Sequence, residues 1–370
     1  MLDADALAYN IAVFITSLFL LEFGADKFID HTTIVAHRTG ISETVISLLT
    51  AGAEWEELIV VIAALARNRA SLAIGNIVGS AISNILGAFS LGLLFHGGDE
   101  AVRFDRSARV YSLVLLATTT LVIPMLYFPA ETTWLACGTV LIASFVIYLG
   151  SVGWAISRGT LTAPEGSDSG SSDDADSSED DSSSTTDVER DSGGIHAPFP
   201  DAIATTPLLP RQRSSKRRPL TYHVSRLLFG FLAICLSGYV LSHAASSIVD
   251  ALGFSDLLFG VVILSIATTL PEKFIAVMSG RRGQPGILVA STAGSNIFLL
   301  TLCAGIVLLS TQNEFPRGNV GAVELATLWG SSAAFAVTVW FGGGFARWIG
   351  GAMVASYVAF IVAEFLVVHE

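Results

Sequence analysis

Charge is what this sequence has least of. Only 14% of its 370 residues are Asp, Glu, Lys or Arg, against 52% hydrophobic, with a mean hydropathy of +0.63. So few charges exclude a water-facing globular protein of this length and place most of the chain in lipid. Lysine occurs at only three positions, Lys27, Lys216 and Lys273, and no nucleic-acid partner is expected. The three cysteines, Cys137, Cys235 and Cys303, fall in apolar segments without paired spacing or neighbouring histidine, which excludes a disulfide framework or a zinc site. Histidine is absent from the middle of every apolar run. His31, His37, His96, His223, His243 and His369 lie near run ends or in short loops, and His196 lies in the central loop. Neither Gly-x-Ser-Gly nor Gly-x-Gly-Asp occurs, so an intramembrane hydrolase lacks both nucleophile and base; no enzyme activity and no cofactor are expected. The start, Met1-Leu2-Asp3-Ala4-Asp5, lacks the basic stretch of a signal peptide, so the first apolar run is expected to stay as a membrane helix.

Long apolar runs are what the sequence has in their place. Stretches 5–26, 44–66, 70–95, 109–129, 132–157, 223–249, 254–280, 286–311, 319–341 and 346–368 are each long enough to cross about 30 Å of hydrocarbon at about 1.5 Å per residue. The expected fold is an all-α integral membrane protein with ten transmembrane helices. The break at 158–222 divides them into five (1–157) and five (223–370). Because five is odd, a duplicated five-helix unit enters the membrane in opposite senses, as two inverted repeats. With the N-terminus outside, sixteen Lys and Arg residues fall inside, and only Arg67, Arg69 and Arg317 fall outside, the bias expected of a multi-pass protein of the plasma membrane. The net charge of −12 belongs to the central stretch: residues 165–201 hold twelve acidic residues and one basic one, Arg190, leaving about −1 elsewhere. That Ser/Asp-rich stretch is expected to be a disordered cytoplasmic linker. The basic cluster Arg211 to Arg218 closes it, next to the headgroups.

Two apolar runs carry glutamate at their centres. Ala51-Gly52-Ala53-Glu54-Trp55-Glu56-Glu57 sits inside the second run and Ala267-Thr268-Thr269-Leu270-Pro271-Glu272 inside the seventh. From Glu57 the chain runs 22 residues to Gly79-Ser80, and from Glu272 it runs 22 residues to Gly294-Ser295. A carboxylate at mid-bilayer costs about 2.5–3.5 kcal/mol on insertion scales, so it is expected to face a cavity, a partner or an ion. The residues before each glutamate are break points, and Pro271 removes a backbone donor. A helix interrupted there frees carbonyl groups, tolerable only beside a cavity, and oxygen is the ligand a hard cation wants. On the third and eighth runs Ser80 and Asn84, and again Ser291 and Ser295, lie one turn apart on one face. Gly75, Gly79, Ser83 and Gly87 form a small-residue stripe that close helix packing alone explains.

Gly40-Ile41-Ser42-Glu43, Gly75-Asn76-Ile77-Val78-Gly79-Ser80, Ala267-Thr268-Thr269-Leu270-Pro271-Glu272 and Gly294-Ser295-Asn296-Ile297-Phe298 resemble the paired alpha-repeats of the cation/calcium exchanger superfamily, in particular prokaryotic sodium/calcium exchangers. The resemblance covers both halves and not the central loop. It implies a central site built by spans 2, 3, 7 and 8, with alternating access by movement of spans 1 and 6. It also implies that Glu57 and Glu272 ligate calcium, that Thr268 supplies a backbone carbonyl, that Thr269, Ser80 and Ser295 line sodium sites, and that Asn84 lies at the centre.

The sequence departs from the family pattern in three places. Glu54 replaces a small hydroxyl residue, Leu299 stands where many members carry aspartate, and Gly40 to Glu57 is 17 residues where Gly253 to Glu272 is 19. Glu54 and Glu57 share a helical face, so Glu54 is a candidate replacement for the missing carboxylate. The expected activity is exchange of calcium for sodium at a mid-membrane carboxylate site, with transported cations and lipid as partners and the oligomeric state open. Exchange of calcium or another divalent cation for protons on the same carboxylates, and a non-transporting calcium sensor, are the alternatives.

Overall fold

The computed structural model describes residues 4–39, 54–97, 101–127, 134–158, 219–311 and 320–367. Every regular element among them is a helix. Those used below are α1 (Ala4–Arg38), α2 (Trp55–Ala66), α3 (Ala70–Leu94), α4 (Arg106–Tyr127), α5 (Trp134–Ser157), α6 (Leu220–Leu252), α7 (Asp256–Thr268), α8 (Leu270–Arg281), α9 (Pro285–Ser310), α10 (Ala322–Phe341) and α11 (Ala346–Val367). Among the described residues eight helices are individually long and apolar enough to cross a membrane, and α7 with α8 is a further apolar pair, bent by 49° at its break. The expected second run, 44–66, is described only from Glu54, where α2 follows. Its first half, with Gly52, Ala53 and the Gly40 motif, lies outside the described residues, as do the linker 165–201 and the basic cluster 211–218.

Apolar side chains face outward, with Phe19, Phe274, Phe341, Phe345 and Trp348 exposed. The centre of the molecule belongs to α3 and α9, whose spans are 89% and 78% buried against 17% for α1 and α5. Small residues allow this. An added methyl group on Gly75 would meet the Leu257 carbonyl at 2.8 Å, and one on Gly79 would collide with the Val261 carbonyl. On α7, a methyl group on Gly260 would reach 2.7 Å from the Leu72 carbonyl. The backbones of α3 and α7 therefore touch directly, as close packing of the glycine stripe requires. Three helices of this centre loosen to a π-helical turn, at Ser83–Phe89, Phe259–Leu264 and Phe298–Cys303, the local widening that proteins favour near functional sites.

α1 and α6 pack along one another and extend beyond the apolar runs read from the sequence. At their crossing, Gly24 lies against Ile234, and Gly230 against the Phe28 backbone. Lys27, Asp30 and His37 remain helical because α1 continues past the apolar stretch alongside α6; His31 Nδ1 and His223 Nδ1 lie 3.3 Å apart across that pair.

Candidate functional site

Two helices begin in the middle of the molecule. α2 starts after Glu54, whose φ of −80° and ψ of 72° put it outside the helix, and α8 starts after Thr269, with Pro271 in its first turn. Proline suits that place because its missing N–H would have no intrahelical acceptor. Glu54 and Thr269 therefore hold the same position relative to Glu57 and Glu272. Both glutamates lie in first turns, where the positive end of the helix dipole favours a carboxylate.

Glu57 is 1% exposed and fully engaged. Its Oε1 accepts from Ser80 Oγ at 2.8 Å and from Thr268 Oγ1 at 2.6 Å, and its Oε2 accepts from Asn76 Nδ2. Donors from α3 and α7 thus hold the α2 carboxylate in place.

Glu272 is held differently. Its Oε2 is buried, with no hydrogen-bond partner among the described residues. Carboxylate oxygens of Glu54, Glu56 and Glu272 all lie within 4.8 Å of one another, and the Glu54 carboxyl also meets Ser295. Asn84 Nδ2 donates to Asn296 Oδ1 at 3.4 Å and Asn296 Nδ2 to the Ala81 carbonyl at 3.2 Å, while Asn84 Oδ1 stays unpaired. Asn84, Glu272, Ser291 and Ser295 line a crevice of about 10 Å³ that continues past Ser279 to Leu288, room for roughly one water-sized body. Three ionised carboxylates this close repel one another unless cations or protons sit among them. The buried, unpaired oxygens of Glu272 and Asn84 are the hard ligands a calcium ion takes.

The expected site residues thus fall into three groups. Ser80 and Thr268 both donate to Glu57, Thr268 through its hydroxyl. Glu272, Glu54, Ser295 and Asn84 gather at the crevice. Thr269 turns away from both, with its hydroxyl between Ser83 Oγ at 2.9 Å and Lys273 Nζ at 2.5 Å. Leu299 is fully buried. Sequence reasoning overlooked Asn76 as a Glu57 partner, although it stands one turn before Ser80 on the same face. It also overlooked Glu22 and Asp26 of α1, both within electrostatic reach of the carboxylate cluster. Glu22 carried the same signal as Glu57, an acidic residue in an apolar run, without a glycine motif beside it.

The profile of the sodium/calcium exchanger protein family matches residues 9–154 and 222–366. The putative antiporter CaxA of Alkalimonas amylolytica is 26% identical over 297 residues, 79% of this chain and 78% of that protein. The human sodium/potassium/calcium exchanger 1 is 30% identical over 98 residues, 26% of this chain and 8% of that protein. Among solved structures, native YfkE aligns with a TM-score of 0.65 at 14% identity, covering 98% of this chain and 93% of that one. The sodium-calcium exchanger NCX_Mj, soaked with 10 mM Na+ and zero Ca2+, aligns with a TM-score of 0.55 at 20% identity, covering 96% and 99%. These two share the fold. With both halves matched by the family profile, the chain is a multi-pass membrane protein that belongs to the sodium/calcium exchanger family.

Proposed function

We propose that this protein is a secondary active antiporter that exchanges calcium for sodium by alternating access, through ten spans arranged as two inverted repeats of five. The N-terminus lies outside and the 158–222 loop in the cytoplasm of a plasma-membrane protein. The observation that carries this reading is the convergence of two helix starts, each with a glutamate in its first turn, on unpaired buried oxygens. Glu272, Glu54 and Asn84 would contact the divalent ion directly. Glu57 would join when its hydrogen bonds to Thr268 and Ser80 exchange for metal. In this orientation Ser279 and Leu288 are the lining residues of the crevice on the cytoplasmic side of Glu272. α1 and α6, joined along their length and among the less buried helices, are suited to move against the α3 and α9 centre.

A second reading, protons as the counter-ion, is favoured by the Glu54, Glu56 and Glu272 group, since carboxylates crowded together take up protons when a cation leaves. Proteoliposomes loaded with sodium, at equal pH on both sides, are diluted into sodium-free buffer and calcium uptake is followed. Uptake that follows the sodium gradient is expected; uptake that follows an imposed pH gradient and ignores sodium would replace sodium by protons.

A further inference from the structure

The only lysine among the described residues of the α2, α3, α7, α8 and α9 centre is Lys273, adjacent to Glu272 but directed away from the carboxylate group. Its Nζ donates to Ser83 Oγ at 2.8 Å, to the Thr269 carbonyl at 3.0 Å and to Thr269 Oγ1 at 2.5 Å. Three donors on three oxygens use every N–H of an ammonium. The hydroxyls are equally committed. Thr269 Oγ1 donates to the Ser265 carbonyl at 2.5 Å, so the Ser83 proton goes to Thr269, and Tyr357 OH donates to Ser83 Oγ at 2.9 Å. Ser83 Oγ then accepts from Lys273 and Tyr357, and Thr269 Oγ1 accepts from Lys273 and Ser83. Each hydroxyl oxygen has two lone pairs, and none is left over.

We propose that the Lys273 ammonium is a tethered cation, seated in an oxygen cage of Ser83 and Thr269 where a free monovalent cation would otherwise bind. The cage has the parts such an ion needs: a backbone carbonyl at the helix break and two hydroxyl oxygens, in a buried place beside two carboxylates. The lysine stem crosses α3 at Gly87, where an added methyl group would lie 3.2 Å from Lys273 Cε, so the chain is threaded to its seat through a gap that glycine leaves open. The geometry also explains why Thr269 faces away from the carboxylate group. As a consequence the protein binds one mobile monovalent cation fewer than its oxygens alone would allow. This deepens the antiport reading, and its test is independent of flux.

The full chain and its Lys273→Ala, Lys273→Met and Lys273→Arg forms are purified, and Tm is followed as sodium chloride replaces choline chloride at constant ionic strength. Expected is a saturable sodium-dependent rise in Tm for Lys273→Ala and Lys273→Met beyond that of the parent, about 3 °C once sodium exceeds its Kd about a hundredfold. Lys273→Arg, which keeps a charge in the cage, should respond as the parent does. Equal sodium response in all four proteins would overturn the proposal. So would failure of both neutral variants to fold while Lys273→Arg folds, because the ammonium would then be a structural counter-ion whose place free sodium does not take. If calcium flux proves absent while the neutral variants gain the sodium response, the antiport reading fails and the tethered cation stands.

Discussion

The starts of α2 and α8 occupy matching places and are built from opposite charges. At the first, Glu54 adds a carboxylate beside Glu56 and faces Glu272. Around it the neighbouring surface is aromatic, with Trp55 against Phe298 at 6.1 Å and Phe145 against Phe298 at 5.6 Å between ring centroids. At the second, Thr269 takes the place of Glu54, Lys273 stands where the first repeat has Leu58, and Ser83 stands where the later half has Phe298. One half gains the negative charge of Glu54 and the other the positive charge of Lys273, which offset one another, while Glu56 leaves the centre one charge more negative than a plain pair of glutamates. The two helix starts are similar frames; the difference gives one a crowded group of carboxylates and the other a closed polar cage.

The largest effects should come from the paired glutamates, and they should differ in kind. Glu57→Gln and Glu272→Gln are both expected to abolish calcium uptake in proteoliposomes. Glu57→Gln should also lower stability, by about 1–3 kcal/mol and by more than Glu272→Gln, because its new amide would face donors on Ser80, Thr268 or Asn76, whereas Glu272 Oε2 holds no such donor. Thermal unfolding of the two detergent-purified variants checks this, and equal loss of Tm would remove the distinction between them.

Packing glycines come next. Gly79→Ala pushes into the Val261 carbonyl, a backbone atom that cannot turn away, and should cost at least the roughly 1–3 kcal/mol of an overpacked core. Gly87→Ala meets only the flexible Lys273 stem at 3.2 Å, so its Tm should fall by less. The reverse order of Tm would show that α3 and α7 are not in backbone contact.

A smaller change is expected from the added carboxylate alone. Glu54→Gln should weaken calcium binding by about tenfold, near 1.4 kcal/mol, as read by calcium titration. Unchanged affinity would reduce Glu54 to a charge at a helix start. Least of all should follow from deleting 165–201, whose composition offers little to bury; unchanged calcium flux is expected, and its loss in a protein that still inserts would refute the linker reading.

How much of this was legible beforehand depends on the physical signal each part left. Long apolar runs and glutamates within them stand out because lipid penalises every exception, so most of the long helices, the placement of Glu57 and Glu272 at helix breaks and the glycine stripe were readable from composition and spacing. Direction was less so. Nothing in Ala-Thr-Thr-Leu-Pro-Glu-Lys states that Thr268 turns to Glu57 while Thr269 turns to Ser83 and Lys273; that follows from the 49° bend and from contacts with residues 186 and 211 positions away. The lengths of α1 and α6 were also underestimated, since Lys27, Asp30 and His31 end an apolar run without ending a helix.

The lengths of that pair place a mechanical load on the bilayer. α1 has 35 residues and α6 has 33, each about 50 Å of helix at about 1.5 Å per residue, while about 30 Å of hydrocarbon needs only some 20. Rods this long must lean or protrude, and the lean changes with membrane thickness. Since Gly24 and Gly230 lock the two rods at one crossing, they would tilt together. On the proposed alternating-access reading, lipid thickness would then act on turnover, and a change in calcium exchange rate between vesicles of short and long acyl chains is the expected outcome.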